Sequence, residues 1–219
     1  MLTKSRIART APLAAIVALM AVPAMSQAQS ITFGTRLDHE PSNSAPGHNC
    51  NEDGNDDVTP VCTRVAVDQS DAVPGGLRAP KSGTIIKFNV RAGAPGDLTF
   101  RLARLKHLGF NEQLNDYSAL GQGGGTGPHV HVQGNGFRDP EEGEGNPIES
   151  FKANLKVTKG DYLAIDSATN STQYCASGGA KQMIFTPKLG KKGGSFKQNT
   201  TKGGCDLLVQ AVMKPAKKH

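Results

Sequence analysis

Tryptophan is absent from this 219-residue chain, and three tyrosines with eight phenylalanines bring the aromatic share to only 5%. Recognition of sugars leans on exposed rings that are apolar on the face and polar at the tip. Tyr117, Tyr162 and Tyr174 are few for that task, so a lectin-type reading starts weak. Cysteine is scarce as well: four residues with no Cys-x-x-Cys pair, which argues against a thiolate zinc site. Beyond the N-terminus no apolar run approaches the ~20 residues that a spanning helix needs. Catalytic signatures are missing too. There is no Gly-x-Ser-x-Gly elbow, because Cys175-Ala-Ser-Gly-Gly179 lacks the leading glycine, and no Ser-x-x-Lys or His-Glu-x-x-His occurs. Phosphate-loop and dinucleotide fingerprints are also lacking. Glu141-Glu142-Gly-Glu144 offers paired carboxylates, but acids clustered in a glycine-rich loop are ordinarily solvated. These absences favour a chain that binds or builds rather than one that catalyses.

What is present begins with an address. Lys4, Arg6 and Arg9 precede an apolar segment from Ala11 to Met25, and Ser26-Gln27-Ala28 then places small residues where signal peptidase reads them. Residues 1–28 read as a secretory signal peptide, and residues 29–219 as the exported protein, extracellular or associated with the cell envelope. Removing the leader lowers the formal charge from +6 to +3. The remaining charge is uneven: residues 181–219 hold nine lysines against Asp206 alone. Such a region suits an envelope polysaccharide or another anionic surface polymer. A solvated lysine face ending in the basic tail 214–219 is the plain alternative, and nucleic acid is not an expected partner.

In an oxidising compartment an even set of cysteines reads as disulfides. Cys50, Cys62, Cys175 and Cys205 allow three pairings, and proximity favours Cys50–Cys62 with Cys175–Cys205. Period-two alternation marks half-buried strands. Gly83–Arg91 sets Ile86, Phe88 and Val90 against Lys87, Asn89 and Arg91; Asp97–Arg104 sets Leu98, Phe100 and Leu102 against Thr99, Arg101 and Ala103. Phe151–Val157 alternates most cleanly. Shorter strands are expected at Ile31–Leu37, Val61–Val67, Pro128–Gln133, Tyr162–Asp166 and Gln182–Pro187. Asp206–Met213, apolar on both faces, reads as one central strand. The best helix candidate is Asn111–Leu120, which is equally readable as a loop, and the glycine-rich 121–128 reads as a flexible linker. Glycine-rich turns between short strands predict an all-β, jelly-roll-like antiparallel β-sandwich. It divides into an N-terminal extension with a first strand and an acidic loop (29–60), the sandwich (61–213) and the tail.

The segment Leu77-Arg-Ala-Pro-Lys-Ser-Gly-Thr-Ile-Ile-Lys-Phe-Asn-Val-Arg91 carries a resemblance, with Leu98-Thr-Phe-Arg-Leu102, Leu155-Lys-Val-Thr-Lys-Gly-Asp-Tyr-Leu-Ala-Ile-Asp166 and Leu207-Leu-Val-Gln-Ala211. Over residues 60–213 the chain resembles a group of secreted bacterial β-sandwich proteins of unknown function. The resemblance implies a jelly-roll-like fold and carries no activity or site residue.

Two clusters are candidate metal sites. If Pro128–Gln133 is a strand, His129, His131 and Gln133 share one face while Val130 and Val132 point inward. Two imidazoles at i and i+2 can hold one transition metal, as at the start of a cupin site, and Gly123 sits six residues before His129. The cupin pattern then stops: Asn135 and Gly136 stand where a glutamate is needed, and no third histidine follows near Gly160-Asp161. A catalytic site needs about three protein ligands, for which His107, Glu141 and Asp161 are candidates if the fold gathers them. A solvated polar face is the alternative. Asn51-Glu-Asp-Gly-Asn-Asp-Asp57, between Cys50 and Cys62, offers hard oxygens for calcium through Asp53, Asp56 and Asp57, though it is no EF-hand; the favoured reading needs no cofactor, with calcium as the alternative. The favoured function is a secreted, non-catalytic binding or structural module, with a carbohydrate-binding module and a cupin-like metal-dependent enzyme as rivals.

Overall fold

A computed structural model describes residues 29–42, 50, 61–67, 72–111, 116–168, 171–175 and 181–217. The signal-peptide reading of residues 1–28 and the calcium candidates Asp53, Asp56 and Asp57 lie outside the described residues. Among the described residues the protein is all-β, with β1 (Ile31–Gly34), β2 (Cys62–Ala66), β3 (Gly83–Val90), β4 (Pro95–Asn111), β5 (Asp116–Gln133), β6 (Glu149–Val157) and β7 (Tyr162–Ser167). Then come β8 (Gln173–Tyr174), β9 (Gln182–Phe185), β10 (Lys197–Gln198), β11 (Thr201–Gly203), β12 (Asp206–Leu207) and β13 (Val209–Pro215). Asn135–Phe137 forms a single 3-10 turn. None of the described helices is long and apolar enough to cross a membrane.

The strands form a four-stranded sheet, β1-β13-β3-β6, a seven-stranded sheet, β10-β5-β4-β7-β2-β9-β11, and the ribbon β12-β8, with antiparallel pairing throughout. The two large sheets pack through phenylalanines: Phe88 of β3 stacks on Phe100 of β4 with ring centroids 4.4 Å apart, and Phe151 of β6 tilts onto Phe100 at 5.8 Å. Leu98, Phe100, Leu102, Leu163 and Ile165 line this buried interface from the larger sheet. Burying a side chain of that size contributes about 1.5–3 kcal/mol.

The larger sheet also curls on itself. Phe185 of β9 reaches Gly121 of β5 although three strands separate them, and a Cβ at Gly121 would lie 2.4 Å from the ring. Phe185 shares its face with Val65, Ala164 and Met183 by register. All four are buried, so the sheet is a half-barrel with a small core in its concave side and the sandwich core against its convex side.

The alternation in β4 and β6 follows the expected faces. In β3 it does not. Ile85, not Ile86, is buried beside Phe88 and Val90, because the β3–β6 register shifts between Ile85 and Lys87 and a bulge inverts the phase of a strand. Asp206–Met213 also breaks in two: Leu208 donates its N–H to Thr172 O, which frees β12 to pair with β8 while β13 runs between β1 and β3. Pairing of β1 with β13 ties the first strand of the extension into the sandwich, and β13 takes in Lys214 and Pro215 of the presumed tail.

The largest departure concerns the stretch read as helix or loop and then linker. Asp116–Leu120 and the whole of 121–128 belong to β5. Glycine weakens a strand unless another group must come close, and here it must. A Cβ at Gly123 would meet Gly190 O at 2.2 Å, at Gly124 Leu102 at 3.0 Å, at Gly125 Leu155 at 3.2 Å and at Gly127 Phe88 at 3.1 Å. The run is therefore a strand pressed from both sides. Both disulfides pair as proximity suggested, Cys50–Cys62 and Cys175–Cys205. The second flanks the β8–β12 ribbon, where Tyr174 pairs with Asp206.

Candidate functional site

The concave side of the half-barrel opens into a groove of about 520 Å³, and an adjoining cavity of about 370 Å³ shares Thr99, His129, Asp166 and Lys188 with it. Pairing sets the floor. Thr99 of β4 stands opposite His129 of β5 on one side and Asp166 of β7 on the other, and Asp166 stands opposite Thr63 of β2. Cross-strand partners share a face, so four strands deliver these polar side chains to one surface.

At the bottom lies an ion pair. Arg101 Nη1 is 2.7 Å from Asp166 Oδ2, with side chains only 5% and 2% exposed. Thr63 donates its hydroxyl to Asp166 Oδ1 at 2.6 Å, and the same oxygen of Thr63 accepts the Leu189 N–H at 2.9 Å. Buried charges persist when paired and hydrogen-bonded, and this pair leaves the floor formally neutral. One wall is the segment after β9. Leu189 is buried, Gly190 O accepts from Arg101 Nη2, and the Gly193 N–H reaches Gly123 O at 3.3 Å. Lys188 and Lys191 rise from this wall, Lys188 Nζ lying 4.0 Å from Asp166 Oδ2 while its side chain stays 55% exposed. The opposite wall is β5, with Thr126 and His129. Above a neutral floor the two wall lysines leave the groove cationic.

His129 and His131 are exposed, while Val132 is buried and Val130 half-buried, as the strand reading required. His129 Nδ1 lies 3.0 Å from Thr99 Oγ1, and His131 Nδ1 lies 2.8 Å from Asp97 Oδ1. Of the third-ligand candidates, Asp161 is not brought to them. It is buried in its own turn, accepting the Thr158 N–H at 2.9 Å and pairing with Arg104 Nε at 3.0 Å. Arg104 is five residues along β4 from Thr99, roughly 16 Å at strand rise. Glu141 lies in an exposed turn, its N–H bound to Asp139 Oδ1. The candidates His107 and Tyr117 fall outside the described side chains. No group of three or more His, Cys, Asp or Glu suited to a metal occurs among the described residues. Tyr174 stacks on His39 with centroids 4.2 Å apart, and Tyr162 is buried; neither lines the groove.

Sequence reading reached the histidines but not Thr63, Arg101, Asp166 or the wall lysines as parts of one site. The available signal was Asp166, an ionic residue closing the otherwise apolar run Tyr162–Ile165, with Arg101 on the polar face of the alternating β4. Comparison of the chain with protein-family models, with curated proteins and with solved structures returns no match.

Proposed function

We propose that this protein is a secreted, jelly-roll-like, non-catalytic binding module whose groove holds an acidic polymer of the cell envelope or extracellular space. The observation that carries the reading is the charge layout. A buried Arg101–Asp166 pair leaves the floor formally neutral, so Lys188, 4.0 Å from Asp166 Oδ2 and largely exposed, and Lys191 on one wall face His129 and Thr126 on the other as surplus positive charge. An extended groove with cations along one edge suits a chain of repeated carboxylates, sulfates or phosphates, which a point-charge ammonium recognises without demanding a fixed geometry. Among the described side chains neither Tyr162 nor Tyr174 lines the groove, which speaks against a neutral glycan held by stacking. Two disulfides fit an oxidising compartment.

The test is a binding titration with polygalacturonate and long-chain polyphosphate, neutral dextran serving as the control. Binding of an acidic polymer, weakened about tenfold by Lys188→Gln/Lys191→Gln and lowered by added salt, is expected. Equal binding of dextran, or a double variant that binds acidic polymers as the parent does, would rule the reading out.

A further inference from the structure

We propose that His129 and His131 form a two-imidazole chelate for a borderline divalent transition metal, Cu²⁺ or Zn²⁺, at the rim of the groove. His129 also lines the polymer groove, but the chelate is argued from a different observation, the way both rings are held. The two histidines occupy alternate positions of β5, so both project from the same face, roughly 6.6 Å apart along the strand. The neighbouring strand β4 supplies a partner directly opposite each one: Thr99 faces His129 and Asp97 faces His131. In both pairs the contact is made at Nδ1, at 3.0 Å and 2.8 Å.

That choice of nitrogen matters. A metal-binding histidine characteristically donates its second ring N–H to a carboxylate or other oxygen, which fixes the tautomer, orients the ring and raises its basicity. With Nδ1–H of His131 donated to the Asp97 carboxylate, its Nε2 is left with the lone pair that a metal needs. In the tautomer that donates Nδ1–H to Thr99 Oγ1, His129 likewise keeps Nε2 as its free nitrogen. Imidazole nitrogen is a favoured ligand for copper and zinc. The side chains of His131 and Asp97 are 55% and 64% exposed, so an ion reaches the ring edges without rearranging the fold. Two protein ligands leave the other coordination positions to water, which makes this an open surface chelate rather than a closed structural centre.

The full-length oxidised protein, made without a polyhistidine tag, is titrated with Cu²⁺ and with Zn²⁺ by calorimetry, and its copper complex is recorded by electron paramagnetic resonance. One equivalent of copper is expected, with hyperfine splitting from two ring nitrogens. His129→Gln and His131→Gln should each remove one nitrogen and weaken binding at least tenfold, and His129→Gln/His131→Gln should abolish the site. Asp97→Asn keeps both ligands and should still weaken binding about tenfold, because it removes the carboxylate behind His131. A spectrum unchanged in His129→Gln/His131→Gln would overturn the proposal, as would the absence of any metal-dependent heat with the parent protein. Full affinity in Asp97→Asn would overturn the role given to the orienting carboxylate.

Discussion

Replacing Asp166 by asparagine removes one charge and almost no volume from the groove floor. At an effective dielectric of about 20, unit charges at the observed separation of 2.7 Å attract by roughly 6 kcal/mol. Desolvation of both groups offsets much of this in the intact pair. In the variant it offsets nothing: Arg101 stays buried, keeps its charge, and its Nη1 meets a neutral amide. Loss of one partner from a buried pair costs about 3–5 kcal/mol. Thr63 can still donate to the asparagine oxygen, so its hydroxyl and its bond to the Leu189 N–H survive, and the loss reports the charge itself.

Urea denaturation with both disulfides intact gives the measurement, since the slope tests whether unfolding remains two-state. A loss of about 3–5 kcal/mol would lower the melting temperature by roughly 10 °C in a domain of this size. Arg101→Met should cost a similar amount, because it leaves Asp166 with the Thr63 hydroxyl and the largely exposed Lys188 ammonium 4.0 Å away in place of its close ionic partner. Asp166→Leu with Arg101→Met should cost less than either single change, because no buried charge is then left alone. A loss below about 1 kcal/mol for Asp166→Asn, or a double variant whose cost equals the sum of the singles, would refute the claim that these groups act as a desolvated pair.

Two further outcomes follow from other parts of the fold. Gly121→Ala should destabilise by about 1–3 kcal/mol, because its Cβ would sit 2.4 Å from the Phe185 ring; Gly109→Ala in β4, where nothing lies within 4 Å, should be close to neutral by the same denaturation assay. Arg64 is 2% exposed between Ile165 and Ile184, its Nε has no hydrogen-bond partner, and burial lowers its pKa to about 10. Keeping it charged at pH 7 therefore costs roughly 3 kcal/mol at 1.36 kcal/mol per pKa unit, so Arg64→Met should raise the urea midpoint. The unfolded state binds the extra proton between pH 10 and the ordinary arginine value, so parent stability should rise through that window and the gap to the variant should narrow. A variant less stable than the parent at pH 7 would sink this.

The sandwich was legible because most strands obey one rule. Leu98, Phe100 and Leu102, or Phe151, Ala153 and Leu155, report their buried face through strict alternation, and no other element competes for those segments. Failures came where a second contact overrode the local pattern. At Ile85–Lys87 a bulge slips the phase, which no count of apolar residues foresees. At Leu208 the backbone pairs with Thr172 and not with the sheet, so a continuous apolar run yields two strands in two different sheets. The cysteine pairing was readable from spacing alone, because each bridge links neighbours in the chain.

The glycine run shows why the groove escaped notice along with the strand that walls it. Read alone, Gly121-Gln-Gly-Gly-Gly-Thr-Gly127 has no apolar side chain to bury, and composition assigns it to a linker. Its glycines are set by partners far away in the chain: Phe185 against Gly121, Gly190 O against Gly123, and Leu155 and Phe88 against Gly125 and Gly127. Glycine at these positions lets one sheet curl towards Phe185 while the other packs from the opposite side. The curl then sets the wall segment carrying Lys188 and Lys191 facing His129 across Arg101 and Asp166. The site therefore depends on contacts between β5 and residues some 30 to 67 positions away, and a reading window of ten residues could find its histidines but not the groove that they border.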